Sequence, residues 1–572
     1  MFGRTKTTAM KNLKRPSDTG MLFDLEASAW WSTQLSPGAL RRLREGWQGI
    51  FQRTILGLLG RPAQALGAEL DEELGRPSKE LYAMSGLLLI AEFQDWTIDE
   101  AADAWTLDAG VQFALHLPRD RQYPGARTLD NYRRLLREKV EVQEVFTTVT
   151  AALVRELELD IRKQRLDSTH VLSAMAQLGR AQLLSVAVRR FLVQLKKHDA
   201  AGYAALEPAL RERYEAAESR LFGHGTRKPQ AREEVLAQVA ADLLWLVERF
   251  GNDPAHEHRA SCQAMERLLR EHCEVRADKT AIVRPQSLDE KGGSARCLQN
   301  PSDTGAGYSG HKGPGYQVQL AQALPPRDAD GKIEGPGLVT ACVPQSAAVR
   351  DNEALGEVLA QQQRAGLLPE QTAADTIYGS DANVQACAAL GVRLLSPVGG
   401  AAPRAAQAKH HCSTAERALK ARLAERREQQ ETGEWKREYA QRSGIEGLNR
   451  ALDVTTGCKE LRVRGTRAVE VAVSLKVTGW NILAAAKIRG HRARRAARQA
   501  PPGGPGRAGR RAGACRDRFR RPRCTHTRAP RPNFSHRPGK NSTLGITPLP
   551  KNHFCASICS VFSGTRAVTC PD

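Results

Sequence analysis

Apolar positions divide the chain into stretches of different periodicity. Up to about residue 145 they recur every three to four residues, as in ALRRLREGWQGIFQRTILGLLG, which predicts amphipathic helices. Helices are expected at 79–93, 97–105 and 128–139. Thr97 followed by Glu100 forms a capping-box pattern, and Thr128 stands as a second N-cap. Residues 172–276 keep the helical spacing (LLSVAVRRFLVQL, VLAQVAADLLWLVERF) without any repeating period, which suggests one inserted helical domain. Between these blocks, IRKQRLDSTHV reads as a short strand that Asp167 ends. After residue 281 strand patterns dominate: a glycine-rich loop entering an alternating strand at 308–324, a strand at 337–345, and a strand at 371–379 ending at Asp375. The helix NEALGEVLAQQQRAG separates the last two. A charged helix is expected at 414–430, and another from residue 434 contains Glu446.

Strands followed by strands alternating with helices predict an α/β fold whose core holds one mixed sheet. The domain boundaries follow. Residues 1–145 form a helical amino-terminal domain, 155–171 the first part of the core, and 172–280 an all-helical insertion. Residues 281–488 complete the core, and 489–572 form a disordered basic tail.

Composition narrows the function classes. Apolar residues make up 41% and charged residues 26%, enough for a globular core and too apolar for wholesale disorder. The apolar run near residues 86–90 is far below the ~20 residues that span a bilayer. The opening MFGRTKTTAM lacks the apolar run of a secretory signal. A soluble intracellular protein without a membrane partner is therefore expected. The formal charge is +22, but it is unevenly placed. From residue 489 onward there are 17 arginines and two lysines against two aspartates, a net +17 that leaves +5 for residues 1–488. The arginine-, proline- and glycine-rich tail has two readings: a basic arm gripping DNA phosphates, or GC-rich DNA translated out of its original frame.

The twelve cysteines lack any CxxC pair, and five follow residue 489, which suggests buried thiols in a reducing compartment. His256, His258, Cys262, His272 and Cys273 resemble metal ligands but lack the paired spacing of zinc modules, so surface histidines are the plainer expectation. Arg133 and Arg134 beside Tyr132 make the third helix compatible with helix-turn-helix DNA binding, although most small helical bundles bind no DNA.

Three carboxylates carry the candidate chemistry. Asp167 and Asp375 stand at expected strand ends, where open α/β sheets build their sites, and Glu446 lies on a helix. Any two could serve as acid and base in a hydrolase; the three together suit a hard divalent cation. Helical spacing aligns Tyr439, Arg442, Glu446 and either Asn449 or Arg450 on one polar face, where an arginine beside a carboxylate suits metal and phosphate chemistry.

The segment YAQRSGIEG resembles the Tyr-x-x-Arg-x-x-x-Glu signature of bacterial insertion-sequence DDE transposases. RLDSTHV is similar to the family's first-aspartate segment, ADTIYGSD to the second with Tyr378 in place, and YSGHKGPGYQVQ to the strand-entry motif between them. DEELGRPSKELYAM resembles the family's helical amino-terminal domain, and the likeness spans roughly residues 20–488. The resemblance implies an RNase H-like mixed-sheet core interrupted by the helical insertion. It implies that Asp167, Asp375 and Glu446 hold two Mg²⁺ (or Mn²⁺) ions about 3.5–4 Å apart around a scissile phosphate. Tyr439 and Arg442 would hold phosphate oxygens, and His311 and Lys312 are backbone-contact candidates beside the plainer reading of a hairpin loop. The partners implied are terminal inverted repeats and target DNA, bound by a homodimer in the bacterial cytoplasm, at the nucleoid. One position departs: the family usually carries lysine seven residues after the glutamate, and here Asp453 stands there, two turns along the face of Glu446. Arg450 could supply the missing cation. A catalytically inactive DNA-binding remnant is the alternative, and a nuclease without strand transfer a third.

Overall fold

Strand β1 (Lys163–Val171) is the axis of a mixed sheet in the structure, a computed structural model that describes residues 35–70, 80–117, 123–215, 220–222, 229–399 and 413–499. The other strands in chain order are β2 (Cys273–Val275), β3 (Ala281–Val283), β4 (Gly307–Ser309), β5 (Gly313–Ala323), β6 (Val339–Ser346), β7 (Gln371–Ala373) and β8 (Arg393–Leu395). β5 pairs antiparallel with β1 on one side and with β6 on the other, and β4 pairs with its first residues. On the far side of β1, β7 and β8 follow in parallel. The mixed α/β expectation holds.

Each sheet face has its own apolar layer. Val171, Val318 and Leu320 pack against Ile445, Leu448 and Leu452 of the helix Ile445–Thr456 and against Val469 and Val473 of the long helix Thr466–Gln499. Leu166, Ala321 and Ala341 on the opposite face meet Leu355, Val358 and Leu359 of the helix Asp351–Ala365. Successive strand residues point to opposite faces, so Asp167 shares the face of Val171 and looks toward the Ile445–Thr456 helix.

The long helix ties these layers to the amino-terminal helices, whose core includes Val471, Leu475 and Ile488. Glycine at 479 is required by that approach: a Cβ there would lie 2.0 Å from the Cβ of Phe93. Lys476, only 3% exposed, donates to the carbonyls of Glu92 (2.9 Å) and Thr456 (2.6 Å) and to Asp95 Oδ1 (3.1 Å). The long helix is apolar and long enough to cross a bilayer, but 83% of its apolar window is buried inside the protein, as suits a core helix.

Two side-chain amides cover the free edge of β6. Asn481 accepts from the N–H of Val339 and donates to its carbonyl, both at 2.8 Å, and also donates to Thr150 Oγ1 (2.9 Å). Gln361 accepts from the N–H of Cys342 (2.7 Å) and donates to its carbonyl (3.1 Å). Each amide supplies the bond pair a neighbouring strand would, so the edge is satisfied without a partner chain.

Several expectations need correction. The third amino-terminal helix begins at Ala126 behind Gly125, whose φ of 64° turns the chain, so Thr128 lies inside it and caps nothing. The Thr97–Glu100 capping box forms as expected, with Glu100 accepting from the Thr97 N–H at 2.7 Å. The insertion is helical from Arg180 to His272 but closes with the β2–β3 hairpin, and its separate apolar core reaches Leu298. Asp167 sits in the middle of β1, because antiparallel pairing with β5 carries the strand on to Val171.

The largest correction concerns residue 489. The helix expected to stop there continues to Gln499, because acidic residues meet its arginines. Arg489 approaches Glu156 (3.6 Å), Arg492 binds Glu334 (2.8 Å) and the Leu157 carbonyl (2.7 Å), and Arg495 reaches Asp328 (3.4 Å). Residues 489–499 therefore belong to the folded unit; the remainder of the expected tail lies outside the described residues.

Replacing Asn481 with Leu is expected to destabilise the protein by about 1–3 kcal/mol for each buried β6 group left unpaired. A urea unfolding midpoint measures it, and an unchanged midpoint would show that the amide does not close the edge.

Candidate active site

The register of β1 and β7 brings two of the three carboxylates together. Arg165 pairs in parallel with Ala373, so Asp167 and Asp375, each two residues further on, come level on adjacent strand lines. β7 itself ends at Ala373, and Asp375 begins the short 3₁₀ turn Thr376–Tyr378, where its Oδ1 accepts the Thr376 N–H at 2.6 Å. The extended strand expected at 371–379 is thus cut short by that cap.

Arg442 joins the pair: its Nη2 lies 3.5 Å from Asp375 Oδ2 and 3.9 Å from Asp167 Oδ1. Asn449 donates to Asp167 Oδ2 at 3.4 Å. The continuous helix expected to carry the Tyr–Arg–Glu face is instead three segments: Gly433–Tyr439, the tighter 3₁₀ turn Ala440–Gly444, and Ile445–Thr456. At Gly444 the backbone approaches the Arg165 guanidinium, and a Cβ there would lie 1.8 Å from Nη1.

Burial pushes the Asp167 carboxyl above the usual aspartate range; Arg442 and Lys312 pull it back, and Asp351 pushes it further up. Asp167 is 19% exposed and Asp375 45%. Burial also raises the Tyr439 phenol, which feels the charges of Arg442, Asp375 and Asp167 and stacks on Trp435 at 4.7 Å. Tyr378, fully buried, is held well above the ordinary phenol range by burial and by the surrounding aspartates.

On the opposite sheet face a hydrogen-bond chain supports the site. Lys312 from the β4–β5 turn donates to Ser168 Oγ (2.7 Å), which donates to Asp351 Oδ2 (3.0 Å). Gln319 donates to Asp351 Oδ1 (3.0 Å) and accepts from the Tyr378 hydroxyl. Sequence reasoning found Lys312 and Tyr378 but missed Ser168, Gln319 and Asp351. Ser168 adjoins the singled-out aspartate, and Asp351 opens the helix read as starting at Asn352, where a carboxylate favours the N-terminal dipole.

Other candidates stand apart. Glu446 is exposed in the first turn of its helix, on the same side as Asn449 by helical spacing. Arg450 and His311 are exposed. Arg133 and Arg134 pair within their own helix, with Asp130 (2.7 Å) and Glu138 (2.8 Å). Asp453 directs its carboxylate to the Lys459 N–H (3.2 Å), capping the end of the helix. In the insertion, His256 and His272 are buried core residues and not the surface histidines expected, because both face the insertion's apolar interior. Burial lowers His272 to about 4.

The donor chemistry fits a hard divalent cation in part. Two carboxylates are level, and Asn449 Oδ1 is a buried acceptor without a hydrogen-bond partner. Among the described residues no group of three His, Cys, Asp or Glu side chains is close enough to hold a metal, so Glu446 is not closed onto the pair.

Asp167→Asn is expected to raise the melting temperature at pH 7 without divalent cations. A raised native pKa means the folded state holds the proton more tightly than the unfolded chain does. That contribution is present below the ordinary aspartate value and is lost as pH rises through the native one. The gain from Asn should therefore be largest at neutral pH and vanish in acid; a pH-independent difference in thermal melts would count against the assignment.

Residues 400–485 match the family model described as transposase DDE domain. The match takes in Tyr439, Arg442, Glu446 and Asn449, whereas Asp167 and Asp375 lie outside it. No curated protein and no solved structure matches the chain. The matched segment is similar to the DDE domain of transposases.

Proposed function

We propose that the protein is a DDE transposase of a bacterial insertion sequence, cleaving and joining DNA phosphodiesters at the element's ends, with the mixed sheet as its RNase H-like core. The observation that carries this reading is the level placement of Asp167 and Asp375, joined through Arg442 from the segment that matches the transposase model. Asp167, Asp375 and Glu446 would hold two Mg²⁺ or Mn²⁺ ions, Glu446 by rotating its exposed side chain inward as DNA binds. When bound, the ions supply charge neutralisation at the phosphate.

The chain's own residues do the rest. Arg442 lies against both aspartates and is free to turn one guanidinium edge to a phosphate oxygen, an orienting contact that also balances the charge of the approaching strand. Lys312, fixed by Ser168 on the opposite sheet face, adds a second positive charge that Asp167 feels. The buried surroundings of Asp167 keep water away and strengthen each of these interactions. Terminal inverted repeats and target DNA are the partners, and two copies of the chain would act on paired ends.

The inactive remnant is favoured by one observation: the three carboxylates do not form a closed metal-holding group. A duplex carrying the element's terminal repeat separates the two. With Mg²⁺ or Mn²⁺, the active enzyme nicks it at the repeat boundary, and a product joined to target DNA distinguishes it from a plain nuclease. Asp375→Asn and Glu446→Gln are expected to abolish cleavage while retaining binding. Arg442→Ala is expected to slow cleavage about 10²–10³-fold, as for loss of one electrostatic contact to the transition state. Specific binding without cleavage by the wild-type protein would establish the remnant, and a wild-type rate in Glu446→Gln would remove that residue from the set.

A further inference from the structure

We propose that a cavity of about 640 Å³ at the start of β1, lined by Arg165, is a second phosphate site, which takes a backbone phosphodiester of the DNA strand adjoining the scissile one. The proposal rests on the transposase reading and specifies how the same site holds its substrate.

Its wall includes Lys163, Arg165, Arg327, Gln441, Ser443 and Gly444. Arg165 precedes Asp167 by two residues on β1, so both point to the same sheet face, about 6.6 Å apart along the strand. A strand of nucleic acid with one phosphate at Asp167 therefore has a neighbouring phosphate within reach of the cavity.

Arg165 is only 8% exposed, yet no carboxylate pairs with it among the described residues. Its guanidinium donates to Gln322 Oε1 (2.9 and 2.7 Å) and to the Gln441 carbonyl (3.3 Å), all neutral acceptors. Burying a charge without an opposite one is costly, and burial lowers this group's pKa with no acid to offset it. A bound anion would supply the missing charge. Arg327 at the cavity's edge likewise donates only to a carbonyl, that of Gly331 (2.7 Å).

The acids nearby do not fill that role. Asp160 is taken by Arg162 (2.8 Å) and Glu438 by Lys163 and Arg393 (3.5 and 2.9 Å). Arg492 is matched by Glu334. Glu158 also lines the cavity, but it stands exposed at its rim. Two cations, Arg165 and Arg327, remain without acidic partners among the described residues.

The test is the salt dependence of DNA binding by the full chain. Each phosphate contact adds about 0.9 to the slope of log K against log[salt]. Arg327→Gln, which changes an exposed side chain and spares the fold, and Arg165→Met are each expected to flatten the slope by about one unit. Arg165→Lys should restore it in part. Arg249→Gln, on the exposed face of the insertion, serves as control and should leave it unchanged. Slopes equal to wild type in both Arg327→Gln and Arg165→Met would overturn the cavity while leaving the transposase reading intact. No DNA binding by the wild-type protein would instead overturn both. Inorganic phosphate that binds the wild type, but not Arg165→Met, without displacing a short duplex would identify a free-phosphate site and overturn the backbone assignment.

Discussion

The parallel pairing of β1 with β7 is the constraint on which the site depends. It is only three residues long, yet its register decides that Asp167 and Asp375 come level. A slip of one residue would turn one carboxylate to the opposite sheet face, toward the apolar layer around Leu166 and Leu355. The register is held from several directions. The Gln164 side chain donates to the Leu367 carbonyl and accepts from Gln362, locking the start of β1 to the segment that leads into β7. β5 pairs with eight successive residues of β1 on the other side. A two-strand contact too short to fix itself is thereby fixed by its neighbours.

Placing two carboxylates level creates an electrostatic problem, and the local chemistry is organised around it. Asp167 is raised by burial and by Asp351, while Arg442 and Lys312 act in the opposite sense. Those two cations reach the site from distant parts of the chain, one on the 440–444 turn and one on the β4–β5 turn. Their positions depend in turn on residues of β1. Ser168 receives Lys312, and Arg165 carries the turn that holds Arg442, at a place where the Gly444 backbone approaches its guanidinium. The site is therefore a balance between buried anions and positioned cations, which is the condition a phosphodiester or a divalent ion can tip.

How much of this was legible in the sequence follows from the range of the interactions. Local signals were read well: the Thr97–Glu100 box and the charged helix Thr414–Glu431. Two of the misplaced features, Thr128 and the end of β7, have local causes in Gly125 and the Asp375 cap, and others depend on distant residues. The 3₁₀ turn at 440–444 rests against Arg165, nearly three hundred residues away, and Asp351 becomes part of the site only through Ser168 and Gln319. The helix running to Gln499 was hidden because its arginines look like a solvated tail until Glu156, Asp328 and Glu334 meet them. The +22 charge was correspondingly a poor guide, since some of the carboxyl-terminal arginines are structural.

Asp453 raised the sharpest doubt in the sequence, an anion where the family usually carries lysine. Its surroundings reduce that doubt. The carboxylate accepts the Lys459 N–H and so closes the end of the Ile445–Thr456 helix, a local task that also draws its charge toward the Cys458 loop. Glu446 is two turns away, with Asn449 between them binding Asp167. The cation that lies against both aspartates is Arg442, and Lys312, seated on Ser168, adds a charge that Asp167 feels.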